Sequence, residues 1–175
     1  MRFSIDATLR KMAELTVGEL IAFGNETQEI GIVVAAGQAN AEPLIGVLKS
    51  ANEPHPQLLR PWGDTPCLSL GKDLSIEPIF DPSVFPGNTN SRRAGWLCLA
   101  QSGWAMSFAI SPVDQSGRFT LEWWKFGNEG GQIKGGVGNN AVGFAKWRIW
   151  ANEETRRDPK ASPLFEYEAA ASHPR

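Results

Sequence analysis

Runs of β-branched and aromatic residues, each closed within a few positions by Gly, Pro, Asn or Asp, recur along the chain. No stretch carries a sustained helical period. Strands so short cannot bury themselves singly, so the pattern predicts sheets packed face to face or rolled up. Candidate strands in the first half are 19–23, 29–36, 44–49, 66–70 and 74–80. Gly24 to Gln28 reads as a hairpin loop, and the proline-rich Asn52 to Gln57 as a loop rather than a strand interior. The best helix signal is Asp6 to Leu15, where Asp6 would cap a short helix turning Leu9, Met12 and Ala13 inward. Thr16-Val-Gly-Glu19 has the spacing of a capping box, although Leu20-Ile-Ala-Phe23 behind it is strand chemistry.

The second half predicts a four-strand meander at 95–101, 104–110, 118–126 and 144–151. A turn at Ser102-Gly103 would pair Leu99 with Met106 and Leu97 with Phe108, and the opposite face is also apolar or small, so this hairpin should be covered on both sides. Pairing 118–126 with 144–151 sets Trp123 against Trp147 on a buried face, and Glu122 against Arg148 and Trp124 against Lys146 on the other. The fold class is therefore all-β with a minor helix near the N-terminus, an antiparallel sandwich or barrel of about nine strands. Residues 1–152 read as a single domain, with sub-lobes 1–80 and 94–152 joined by 81–93 as an alternative division. Residues 153–175 are polar and proline-punctuated, the composition of a flexible tail, within which Leu164 to Tyr167 is a candidate edge strand.

Between the aromatic runs lies a loop from Gly127 to Gly143 with seven glycines in 17 residues, far beyond the usual hairpin connection of about two to five. Gly136-Val-Gly-Asn-Asn-Ala141 matches Gly-x-Gly-x-x-Ala, but the strand-like residues after it remove the helix that a dinucleotide site needs. Lys134 precedes its glycines and no Ser or Thr follows, so the Walker pattern fails as well. Glycine N–H groups beside Lys134 could still form an anion-binding nest, and a mobile flap or extended hairpin tip is the plainer alternative.

Catalytic constellations are sparse. His55 and His173 are the only imidazoles, and Cys67 and Cys98 lie too far apart for a zinc site of their own. Neither a nucleophile elbow nor a repeated carboxylate spacing occurs. No metal or cofactor is expected. The net charge of -2 argues against nucleic acid and membranes as partners, although the acidic excess is confined to residues 1–88, with 6 Lys and Arg against 11 Asp and Glu, and 89–175 carry 11 against 8. With no apolar leader segment the chain reads as soluble and cytoplasmic.

The expected function is a non-enzymatic β-rich binding or assembly module that uses the 127–143 loop as its contact element. Its partner would be another protein or a second copy, with a small anionic ligand or a carbohydrate as further classes. The contact residues expected are Trp124, Lys134, Asn139, Asn140, Lys146, Arg148 and Trp150. Two alternatives stand beside it. One is a small enzyme whose carboxylates, such as Asp114, Glu122 and Glu129, converge in a β-lined cavity; the other is a carbohydrate-binding module that stacks sugars on exposed tryptophans.

Overall fold

The structure, a computed structural model, describes residues 7–24, 28–37, 42–51, 53, 55–80, 94–110, 120–126, 130–138 and 141–168. Among them the chain is mostly β, with a single α-helix and two sheets, neither closed into a barrel. No helix among the described residues is long and apolar enough to cross a membrane.

The first-half strands form where β-branched and aromatic residues cluster. They are β1 (Thr8–Lys11), β2 (Leu20–Phe23), β3 (Glu29–Ala35), β4 (Leu44–Lys49), β5 (Gln57–Leu59), β6 (Pro66–Gly71) and β7 (Ser75–Pro78). The helix expected over Asp6 to Leu15 is absent from the described part of that segment: β1 pairs with β6, and only Met12–Glu14 wind, as a 3-10 turn. Leu9 is 73% exposed whereas Met12 is fully buried. Of the three side chains expected inward only Met12 is buried, too little to hold a helix on the core, and the backbone pairs instead. Thr16 and Glu19 do meet, but they close a turn, with the Thr16 N–H donating to Glu19 Oε2 at 2.9 Å.

The large sheet runs β1-β6-β2-β3-β4-β5 and continues into the second half. Its middle strands are buried on both faces, and the period-two alternation of a strand divides their side chains. Leu20, Ile32, Val34, Leu44 and Leu48 join one apolar cluster. Ile21, Phe23, Val33, Ile45 and Val47 join another with Met12, Leu15 and Cys67. Gly46 is required by close approach, since a Cβ there would stand 2.3 Å from the Phe108 ring.

In the second half β8 (Leu97–Ala100) and β9 (Gly103–Ile110) form the expected hairpin. The register differs by a step: Leu97 opposes Met106 and Leu99 opposes Trp104, because the turn is Gln101-Ser102 and Gly103, at φ +102°, opens the next strand. The side-chain faces are unchanged by the shift. Ala105 to Ala109 are buried without interruption, as a strand covered on both sides requires. On its other side β9 pairs with β10 (Thr120–Lys125), while β11 (Val142–Phe144) pairs with the far edge of β8.

The expected pairing of 118–126 with 144–151 is overturned. β10 faces β9, with Glu122 opposite Phe108 and Trp123 opposite Ser107, and β12 (Lys146–Trp150) leaves for a second sheet of order β13-β12-β7. The faces of β10 are also reversed, since Trp124 and Phe126 pack on the cluster that holds Phe108 and Met106. The polar segment after Trp150 forms α1 (Glu153–Arg157), capped by the Asn152 side chain, and β13 (Phe165–Glu168). Cross-strand charge agrees with this partner. Beside Arg148 the second sheet places Glu77 and Glu166, and beside Lys146 it places Glu168, whereas β10 offers Glu122 alone.

Trp147 and Ile149 point from β12 into the cluster shared with the large sheet, so the two sheets pack in a sandwich-like way. Trp147 is fully buried, stacks on Tyr167 with ring centroids 5.3 Å apart, and donates its indole N–H to the Gly95 carbonyl at 2.9 Å. Trp147→Ala is expected to cost about 3–5 kcal/mol in denaturant unfolding, as large core truncations do, with Trp123→Ala costing clearly less. Equal losses would mean that Trp147 is not the inter-sheet anchor.

Candidate functional site

The glycine-rich segment does not stand free of the sheet where it is described. Lys125 N–H donates to the Gly131 carbonyl at 2.9 Å and Ile133 N–H to the Trp123 carbonyl at 2.7 Å, so 131–133 cover the outer edge of β10. Gly130 lies where a Cβ would stand 2.6 Å from Val17 and 2.9 Å from the Val34 carbonyl. This close packing accounts for one loop glycine by internal contact. Gly135, Gly136 and Gly138 have φ between +79° and +88°, with nothing within 4 Å of the position a Cβ would take. Their conformation calls for glycine, and the space beside them is open.

An open cleft of about 300 Å³ lies there, bounded on one side by the β8–β9 turn (Ala100, Gln101 and Ser102) and on the other by Ile133, Gly136, Val137 and Gly138. Its wall combines apolar side chains, bare backbone, one amide and one hydroxyl, with no charged side chain among the lining residues. Such a surface suits hydrogen bonding to neutral polar groups and close backbone contact. It offers no general acid or base.

The residues singled out from the sequence fall in separate places. Lys134 is exposed on the loop that borders the cleft, while Asn139 and Asn140 lie outside the described residues. Trp124 is half-buried on the core side and donates its indole N–H to Glu122 Oε2 at 3.1 Å. Lys146, Arg148 and Trp150 share the outer face of the second sheet. There Lys146 Nζ meets Glu168 at 2.8 Å and Glu166 at 3.9 Å, and Arg148 Nε meets Glu166 at 2.6 Å. Trp150 is 8% exposed and donates to Glu77 at 3.0 Å. These cations and indoles are engaged within the chain, so the face is a ladder of internal pairs. Of the carboxylates in the enzyme alternative, Glu122 is held by Trp124, and Asp114 and Glu129 lie outside the described residues.

Cys67 and Cys98 are free thiols, both buried, and burial pushes Cys98 up to about 12. Among the described residues no group of three or more His, Cys, Asp or Glu side chains could hold a metal ion. Trp62, unmarked in the sequence, is 82% exposed, and Leu9 and Leu99, expected inward and under cover, instead form exposed cross-strand pairs with Leu68 and Val142. Trp62 sits in Arg60-Pro-Trp-Gly-Asp64, a turn-like segment whose composition alone could have marked its tryptophan as exposed.

The molecule is thus a mostly β protein of two packed sheets with an uncharged cleft at the glycine-rich loop. Comparison with protein-family models, curated proteins and solved structures finds no match to this chain.

The charged ladder ends in α1, where Arg156 and then Ser75 bond the Glu153 carboxylate and bring it down to about 2. A carboxyl depressed in the folded state stabilises above its unfolded value and loses that contribution only as pH falls through the folded one. Carboxyl chemical shifts should place the Glu153 midpoint near 2, and Arg156→Gln should raise it. An ordinary glutamate midpoint in the unmodified chain would show that the Arg156 and Ser75 bonds to Glu153 are not formed in solution.

Proposed function

We propose that this chain is a non-enzymatic binding module whose contact element is the glycine-rich segment 127–143, working with the β8–β9 turn across the cleft. The observation that carries the reading is the run of positive-φ glycines at 135, 136 and 138, which presents open backbone beside Gln101 and Ser102. Two packed sheets, antiparallel except where β5 runs parallel to β9, supply the rigid scaffold, and the loop supplies the contact, the division of labour common to binding proteins. A neutral wall with Lys134 in the adjoining loop favours a small polar ligand or a segment of a partner protein, with an anionic group directed to Lys134. The free thiols agree with a reducing compartment, and we place the protein in the cytoplasm.

Titrating the labelled protein with inorganic phosphate, with a neutral oligosaccharide and with an uncharged polar peptide tests this by amide chemical shift. At least one probe is expected to shift Ala100–Ser102 and Ile133–Gly138 together. Gly136→Ala should remove that response, because the methyl enters the cleft and the backbone is strained at positive φ. Shifts confined to other regions, or a Gly136→Ala variant that binds normally, would overturn the reading.

A further inference from the structure

Away from the cleft, a buried carboxylate joins three elements at the edge of the large sheet. Glu19, just before β2, is 3% exposed. Its Oε1 accepts from Arg10 Nη1 of β1 at 2.9 Å and from the Ser69 hydroxyl of β6. Its Oε2 accepts from the Thr16 N–H at 2.9 Å and the Thr16 hydroxyl at 3.2 Å. Four donors therefore converge on two oxygens. We propose that Glu19 is an acid-sensitive latch: ionised, it clasps β1 to β2 and β6 through Arg10, and protonated, it releases β1 and uncovers the edge of β6 at Cys67.

β1 depends on such ties because it is a four-residue edge strand with one neighbour, and its side chains bury little apolar surface. Its polar contacts lead mostly to carboxylates. Arg10 Nη2 donates to the Glu14 carbonyl at 3.0 Å, the Lys11 N–H to Glu14 Oε2 at 3.2 Å, and Lys11 Nζ pairs with Asp64 at 3.0 Å. The Lys11–Asp64 pair is exposed and contributes little. From β6, Cys67 faces the same site; its thiol is pushed up by burial and donates to the Arg10 carbonyl at 3.6 Å.

Protonation weakens the clasp at Arg10. The Arg10 guanidinium and the Thr16 N–H can only donate, so a proton on Glu19 is taken up by turning the Ser69 or Thr16 hydroxyl, and it removes the charge with which Arg10 pairs. Burial raises the Glu19 carboxyl, but Ser69, Thr16 and Arg10 outweigh it and hold it below the usual range. With the folded value depressed, the latch is intact at neutral pH and is lost as pH falls through that value.

Hydrogen exchange corrected for intrinsic rates tests the latch at pH 7 and pH 3. Protection of Thr8–Lys11 is expected to fall at least about tenfold further than that of β3 and β4, the factor that loss of one charge-assisted hydrogen bond represents. Glu19→Gln should already show the reduced β1 protection at pH 7 and respond less to acid than the unmodified chain. Should that variant not fold, Arg10→Gln keeps the Ser69 and Thr16 donors on Glu19 and should release β1 at pH 7 while β3 and β4 stay protected. Parallel loss in β1 and β3–β4 of the unmodified chain, or wild-type β1 protection in Arg10→Gln, would overturn the proposal.

Discussion

The hydrogen bond from the Trp147 indole to the Gly95 carbonyl joins the two sheets at a point where nothing larger than glycine fits. A Cβ at Gly95 would stand 2.3 Å from the Tyr167 ring and hydroxyl, and its φ of +84° is itself a glycine conformation. Beside it the Tyr167 hydroxyl donates to the Ala94 carbonyl at 3.0 Å. A buried indole N–H left without an acceptor would cost about 1–3 kcal/mol, so this contact selects the position of β12 as well as filling space. With β12 fixed, Ile149 and Phe165 close the cluster over Leu97, Met106 and Phe108. Immediately before β12, β11 runs along the far edge of β8.

The large sheet accepts this cover because β2, β3 and β4 are apolar on both sides. Each side chain buried there contributes about 1.5–3 kcal/mol, so loss of either layer would expose a contiguous apolar face. One layer is the second sheet. On the other face Met12 of the 3-10 turn and Leu15 pack with Ile21, Val33 and Ile45. The N-terminal segment is thus structural, and its polar anchoring through Glu19 secures a layer rather than an ornament of the surface.

Strand chemistry in the first half was legible because β-branched runs such as Ile30 to Val34 and Leu44 to Leu48 stand between turn residues. The faces of the β8–β9 hairpin were legible too, since period two survives a shift of turn. The partner of β12 was not. Trp147 and Trp123 occupy matching positions in two adjacent aromatic runs, and nearest-neighbour pairing is the default for such runs. What decides against it lies at long sequence separation, in Glu77, Glu166, Glu168 and Tyr167. The helix at Asp6 to Leu15 failed for a similar reason: its spacing is helical, but β6 offers its backbone an edge. For the candidate site the loop could be read from its glycines, whereas the facing turn at Ala100 to Ser102 carries no signature beyond that of an ordinary hairpin.

The packing of the two sheets depends on β12 pairing with β7 and β13 rather than with β10, and cross-strand nuclear Overhauser contacts test it directly. Backbone contacts joining Arg148 to Glu77 and Glu166, with side-chain contacts between Trp147 and Tyr167, are the expected result. Contacts joining Trp147 to Trp123 and Arg148 to Glu122, with none to residues 165–168, would contradict it.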